Sequence, residues 1–215
     1  MPTETTPHRI VTAALQLFAQ QGVKKTDLDE VARHAGVTRV TVYRYFGDKQ
    51  GLVRAACLRI AAAFQRAADD SPSESLQDLD ERLNQLGAEL SALPRENSLR
   101  TLDEVRRLYP EVHAEFRALR EAAVDRLLQQ SLAAAQRDGV LRDDLHQDVL
   151  RAIFWSAVIG LIENPALINS NVSLAEVLTT VQQVFRYGIL KRPLPKEHAV
   201  GHRRGSRAKT KGQKR

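Results

Sequence analysis

The stretch TRVTVYRYF, residues 38–46, decides the fold of this 215-residue chain. Its spacing predicts a short helix from Arg39 to about Phe46, because Val42 and Phe46 lie four residues apart and share one inward face. Gly47 then breaks the helix, and a long apolar helix is predicted to begin near Lys49. The residues on the other faces of the short helix are Arg39, Val40, Tyr43 and Arg44.

The residues before this helix predict two more. A first helix is expected from about His8 to Gln21. A second is expected to begin at Thr26, where Thr26-x-x-Asp29 resembles a capping box. Its inward positions, spaced i, i+3, i+4 and i+7, are Leu28, Val31, Ala32 and Ala35. Gly36 ends the second helix and Thr38 caps the third, which leaves only the tight glycine-containing turn of a helix-turn-helix.

A recognition helix of this kind fits the major groove of B-DNA and presents side chains to base edges. Arg39 is suited to guanine O6 and N7, Val40 to a thymine methyl group, and Tyr43 to a base or the backbone. Thr26, Thr41, Tyr45 and Lys49 are predicted to hold phosphates, helped by helix N-termini at Thr26 and Lys49. The complete predicted DNA-binding set is Thr26, Thr38, Arg39, Val40, Thr41, Tyr43, Arg44, Tyr45 and Lys49. Periodicity alone leaves open an ordinary three-helix bundle with exposed tyrosines.

The segment from about Arg9 to Leu52 resembles the DNA-binding domain of the TetR family of regulators. The strings that carry the resemblance are Ala13-Ala14-Leu15-x-Leu17-Phe18-x-x-x-Gly22, Thr26-x-x-x-Glu30-Val31-Ala32-x-x-Ala35-Gly36-Val37 and Thr41-Val42-Tyr43-Arg44-Tyr45-Phe46-x-x-Lys49-x-x-Leu52. Many family members carry Gly before the last string, where this chain has Val40. A β-branched side chain projects into the groove at that point, which affects the DNA sequence that is read.

The resemblance implies an all-α homodimer with three parts. These are a helix-turn-helix domain at 8–52, a helical ligand-binding and dimerisation domain at 53–192 and, from composition rather than from the resemblance, a basic tail at 193–215. In the family the last two long helices pair with those of a second subunit, and the matching segments here are 144–168 and 173–190. Their broad apolar faces fit such burial, although an internal core helix would show the same pattern.

The resemblance also implies a small-molecule inducer bound among the middle helices. The candidate lining residues are Leu86, Leu90, Leu102, Val105, Tyr109, Phe116, Leu119 and Trp155. Pockets and cores use the same residue types, so each of these can equally be ordinary core. Arg106 and Arg107 are suited to an anionic ligand, but a solvated face near a helix end also explains them.

Composition agrees with an all-α protein. Apolar residues make up 43% of the chain and aromatic residues only 5%. The single cysteine, Cys57, excludes a disulfide framework within the chain, fits a reducing cytoplasm and is predicted to be a small buried apolar residue. The N-terminus lacks the apolar stretch of a signal peptide, and no apolar run reaches membrane-spanning length. We therefore expect a cytoplasmic protein that does not bind a membrane.

The positive charge lies at the two ends of the chain. The formal charge is +3 over residues 1–55, −4 over 56–195 and +7 over 196–215, giving +6 in all. This asymmetry indicates an anionic partner, with nucleic acid favoured over membrane. The basic tail, expected to be disordered, is either an arm that seeks phosphates, a solubilising terminus or a partner-binding segment.

Enzymatic readings find little support. The six histidines form no HExxH motif and no Glu-x-x-His pair, and there is no phosphate-binding glycine loop and no GxSxG elbow. We expect no metal, no cofactor and no catalytic residues. The predicted function is a regulator that binds a palindromic operator, represses transcription and is released by a small molecule. The alternative is a ligand-independent protein that organises DNA or binds a protein partner through the same domain.

Overall fold

A computed structural model describes residues 5–68, 76–94 and 98–189, except for the side chains of 76–78, 80 and 186. The predicted all-α fold is confirmed. In chain order the helices are α1 (Thr6–Gln21), α2 (Leu28–His34), α3 (Arg39–Phe46), α4 (Lys49–Ala67), α5 (Leu76–Ser91), α6 (Ser98–Leu108), α7 (Pro110–Arg137), α8 (Gln147–Ile162), α9 (Pro165–Ile168) and α10 (Leu174–Ile189). The tail at 193–215 lies outside the described residues, and the three-part division of the chain stays a prediction.

Helices α1 to α3 pack around an apolar core at the N-terminal end of the molecule, here called the head (residues 6–46). Ile10, Val31 and Val42 have no exposed surface, and Leu52 of α4 closes the same core. The predicted inward face of α3 is confirmed at Val42, while Phe46 is partly buried against this core. The turn between α2 and α3 therefore has the helix-turn-helix arrangement that the sequence predicts.

The start of α2 differs from the prediction. The helix begins at Leu28 and is capped by Asp27, whose carboxylate accepts a hydrogen bond of 2.8 Å from the amide of Asp29. Thr26 is buried, and its hydroxyl donates to the carbonyl oxygen of Gly22 at 2.8 Å. The predicted capping box at Thr26 is wrong because this hydroxyl is already used and the next residue carries a better-placed acceptor.

Helix α4 joins the head to the larger helical part of the molecule, here called the body (residues 76–189). Its first half contributes Leu52 and Val53 to the head core, and its second half places Phe64 in a separate core beside α5 and α7. A single core cluster runs from α1 through Leu102 of α6 to Phe116 of α7. Head and body are therefore held together by continuous apolar packing.

The predicted helix at 144–168 is two helices, α8 and α9. The break falls at the Asn164-Pro165 step, where the Asn164 side chain accepts a 2.9 Å hydrogen bond from the amide of Ala166 and caps α9. No helix in the described ranges is long and apolar enough to cross a membrane. Cys57 is buried as predicted, and desolvation raises the pKa of its thiol to about 12.

Gly51 provides a test of the α3–α4 junction. A Cβ atom at this position would overlap the carbonyl oxygen of Phe46. We expect Gly51→Ala to lower the free energy of unfolding by about 3 kcal/mol, because backbone must move to relieve the overlap. Gly87→Ala in α5, where a Cβ would meet nothing within 4 Å, is expected to raise it by about 0.5–1 kcal/mol. Urea unfolding measures both, and equal effects would contradict the proposed junction geometry.

Candidate nucleic-acid interface and ligand cavity

The outer face of α3 exposes apolar and aromatic side chains. Val40 is 75% exposed, Tyr45 45% and Tyr43 40%. Val42, on the opposite face, is the buried residue of this eight-residue helix. The helix is therefore fixed on one side and exposes the other side to solvent.

Two threonine hydroxyls lie together at the N-terminus of α3. The Thr38 hydroxyl oxygen accepts a hydrogen bond from the amide of Thr41 at 3.2 Å and lies 2.9 Å from the Thr41 hydroxyl. The predicted cap at Thr38 is confirmed. An exposed helix N-terminus with two hydroxyls is an arrangement that suits a phosphate oxygen.

Arg39 is held by partners on both sides. Its Nη1 donates to Oδ2 of Asp29 on α2 at 2.5 Å, and its Nη2 donates to the hydroxyl of Tyr43 at 3.1 Å. The guanidinium also lies 5.3 Å from the centroid of the Tyr43 ring. The hydrogen bond to Tyr43 and the charge of Asp29 raise the pKa of Arg39. Arg39 and Tyr43 therefore form one exposed unit.

The remaining predicted contact residues differ in their surroundings. Arg44 is exposed and stacks over the Tyr45 ring at 5.1 Å. The ammonium of Lys49 donates to the carbonyl oxygen of Lys24 at 3.0 Å, and desolvation lowers its pKa. Thr26 is buried, so its side chain is not presented to a phosphate. The structure thus brings the predicted residues of α3 onto an accessible surface and separates Thr26 from them.

Contacts that join the head and α4 to the body use residues that sequence reasoning missed. Glu104 of α6 accepts a 3.2 Å hydrogen bond from the amide of Lys24. Arg54 of α4 makes two hydrogen bonds of 2.7 and 2.5 Å to the carboxylate of Glu115 on α7. The pattern of a single helix cannot predict these pairs, because the two residues of each pair lie 61 or more positions apart in the chain.

The body contains an apolar cavity of about 150 Å³. It lies between α4, α5, α7, α8 and α10. Its lining residues are Phe64, Leu79, Leu83, Leu86, Gly87, Leu90, Val124, Leu127, Leu128, Ser131, Ala135, Phe154, Val158, Ala175, Leu178, Thr179, Gln182, Phe185 and Ile189. None of these side chains is charged, and Ser131, Thr179 and Gln182 are the polar ones.

Two of the eight predicted lining residues, Leu86 and Leu90, line this cavity. The other six lie elsewhere. Leu102, Val105 and Phe116 are buried in the core shared with the head, and Tyr109, Leu119 and Trp155 are partly buried against it. The sequence prediction also missed the wall formed by α10. The apolar pattern of α10 was assigned to a subunit interface, and periodicity does not distinguish a cavity wall from such a face.

Helices α8 and α10 also expose apolar side chains to solvent. On α8, Val149 is 55% exposed and Ile153 53%; on α10, Val184 is 69% exposed and Tyr187 72%. The two helices pack on each other through Phe154 and Phe185, whose ring centroids are 5.1 Å apart. Each helix therefore has one covered and one uncovered apolar side.

Within the described ranges no group of three or more His, Cys, Asp or Glu residues is placed to hold a metal ion. The geometry defines a protein with a helix-turn-helix head, a helical body and an apolar cavity within that body.

Comparison with known proteins agrees with this description. The family model "Bacterial regulatory proteins, tetR family" matches residues 10–56. The regulator SrpR of Pseudomonas putida is 48% identical over 52 residues, a match that covers 24% of each chain. An Escherichia coli protein named "Probable acrEF/envCD operon repressor" is 25% identical over 170 residues, covering 74% of this chain and 75% of its own. Residues 10–56 are therefore similar to the DNA-binding part of TetR-family regulators.

A crystal structure of a transcriptional regulator from Saccharomonospora viridis, in complex with choline, has the same fold. Its TM-score is 0.59 at 22% identity, and the alignment covers 86% of this chain and 98% of that one.

Matches to the first curated relatives cover only about a quarter of their length, 24% for SrpR. Strong sequence similarity to these proteins is thus concentrated in the head. In the body, the chain shares a fold with the regulator from Saccharomonospora viridis.

Proposed function

We propose that this protein is a sequence-specific transcriptional repressor of the cytoplasm, without enzymatic activity, that a small molecule releases from DNA. The observation that carries the proposal is the exposed face of α3. That face combines a guanidinium, a phenol and a branched apolar side chain on a helix whose opposite side is anchored by Val42. These are the groups that read base edges in a major groove.

Arg39 is the proposed main base contact. A guanidinium can donate two parallel hydrogen bonds to guanine O6 and N7, and it must leave Asp29 to do so. Val40, the most exposed apolar residue of α3, is proposed to contact a thymine methyl group. The hydroxyls of Thr38 and Thr41 and the cation of Arg44 are proposed to hold the phosphates on either side.

A homodimer follows from the same mode of DNA binding, because paired recognition helices read half-sites about 34 Å apart. The exposed apolar faces of α8 and α10 support a subunit interface there. An apolar residue such as Ile153, 53% exposed in one chain, gains free energy when a second chain removes it from water.

The apolar cavity is the proposed inducer site. Its wall chemistry fits a neutral ligand, and about 150 Å³ accommodates a small aromatic molecule. Phe64 of α4 lines the cavity, while Leu52 near the other end of α4 belongs to the head core. A ligand that favours one position of α4 would therefore change the placement of the head, and hence the DNA affinity.

Arg39→Ala and Tyr43→Ala test the DNA contacts. Each variant is expected to weaken binding to a selected palindromic fragment by about 5- to 150-fold, the cost of about 1–3 kcal/mol for a lost base contact. Arg137→Ala, which removes one charge from the far end of α7, is the matched control and should bind normally. Fluorescence anisotropy with labelled DNA measures all three. Unchanged affinity in both α3 variants would overturn the contact assignment.

Ile153→Glu tests the dimer. A carboxylate buried against a second chain is strongly disfavoured, so we expect this variant to sediment as a monomer and to lose binding to the full palindrome. Leu108→Glu, at an apolar residue of α6 that is 42% exposed, should remain dimeric. Analytical ultracentrifugation decides the question. A dimeric Ile153→Glu protein would place the interface elsewhere.

Gly87→Met tests the inducer cavity, since its side chain would extend from the cavity wall into the open space. With indole as the probe, we expect the wild-type melting temperature to rise and DNA binding to weaken. Gly87→Met should need at least a tenfold higher indole concentration for either response. Gly87→Ala should respond like the wild type. Responses to indole that are equal in Gly87→Met and Gly87→Ala would exclude this cavity as the site.

A further inference from the structure

A second, smaller cavity of about 30 Å³ lies between α6, α7, α8 and α9. Its character is opposite to that of the apolar cavity, because several charged side chains line it. We propose that it binds a small oxyanion, a carboxylate or a phosphate, through the guanidinium of Arg120. The site is separate from the DNA surface and from the proposed inducer cavity, so it stands or falls independently of the proposed function.

Arg120 carries the proposal because it is buried without adequate partners. The residue is only 4% exposed, and its Nε has no hydrogen-bond partner among the described residues. Its Nη2 lies 3.9 Å from Oε1 of Glu121, which is beyond hydrogen-bond distance. Desolvation lowers the pKa of Arg120, yet a guanidinium stays protonated in proteins. A buried cation in this state lacks a compensating acceptor.

The aromatic ring of Phe116 offers part of that compensation. The guanidinium carbon of Arg120 lies 5.4 Å from the ring centroid. A cation over a ring face gains roughly 0.5–2 kcal/mol, and it leaves the N–H groups in the guanidinium plane available. The ring therefore holds the arginine in place without satisfying its donors.

Asp103, one of the acidic residues around the cavity, is paired with arginines other than Arg120. Burial alone would raise the pKa of Asp103, but Arg106 and Arg107, at 2.6 and 3.0 Å, bring it below its usual value. Glu121 is equally distant from Arg117 and Arg120, at 3.9 Å from each. Glu163 is the third acid on the cavity wall.

Three guanidinium groups and three carboxylates line this cavity. His113 also lines the cavity, and burial followed by the charges of Arg120, Arg117 and Arg106 lowers its pKa. It is therefore neutral at pH 7 and able to donate a hydrogen bond. The feature that favours an anion is thus the unpartnered Nε–H of Arg120.

The shape of the site selects the chemistry of that anion. Nε–H and one Nη–H of a guanidinium point in parallel and match two oxygens of a carboxylate or phosphate. Leu99, Ile159 and Ile162 form apolar walls that suit a short hydrocarbon portion. A volume near 30 Å³ limits the bound part to a head group, since one water needs roughly 10–15 Å³ by this measure.

Isothermal titration calorimetry with the full chain, free of DNA, tests the proposal. The probes are sodium acetate and sodium phosphate at constant ionic strength, with sodium chloride as the reference. We expect saturable binding of at least one oxyanion, weakened at least tenfold in Arg120→Lys, which keeps the charge but loses the planar fork. Arg126→Lys, on an exposed turn of the same helix, is the matched control and should bind like the wild type.

The side chain of Arg120 can be observed directly in the wild-type protein, whatever the stability of the variant. In ¹⁵N-arginine-labelled protein, one Nε–Hε resonance should shift saturably with the oxyanion. A shift with acetate alone identifies a carboxylate site, and one with phosphate alone identifies a phosphate site. No shift of any arginine resonance, an equal shift with chloride, or unchanged affinity in Arg120→Lys would overturn the proposal and leave water as the occupant.

Discussion

The burial of Val42 is the contact on which the proposed function of the molecule depends. Helix α3 has eight residues, too few to be stable alone, and Val42 is its fully buried side chain. Its attachment to the core, together with the caps at Thr38 and Gly47, fixes which residues point outward. If this anchor rotated, Arg39 and Tyr43 would no longer lie on one accessible face. The recognition surface is therefore a consequence of core packing as much as of its own side chains.

The body separates apolar and charged interior sites. The larger cavity has no charged lining residue, while the smaller one is surrounded by arginines and carboxylates. Both lie against α7, whose 28 residues run through the body. Head and body share a core cluster and are also linked by the Lys24–Glu104 hydrogen bond. In the proposed function, these contacts are the route by which an occupied interior site would change the placement of the head.

Local patterns predicted the helices well. The bounds of α3 and the break at Asn164 follow from glycine, proline and apolar spacing, which act over a few residues. The cap of α2 was misassigned because Thr26 and Asp27 are both good caps, and only the backbone shows which oxygen reaches the free amides. The cavity walls and the isolation of Arg120 depend on helices distant in sequence. Periodicity marks a residue as inward without saying whether it meets another side chain, a void or a ligand.

Selection of genomic fragments by the purified protein tests the central claim, sequence-specific recognition by α3, most directly. The selection is carried out at two salt concentrations, because phosphate contacts weaken with salt while base discrimination persists. We expect one palindromic sequence, with half-sites about one helical turn apart, to be enriched at both concentrations. Fragments without common sequence, bound at low salt and lost at high salt, would contradict the account and favour a protein that organises DNA.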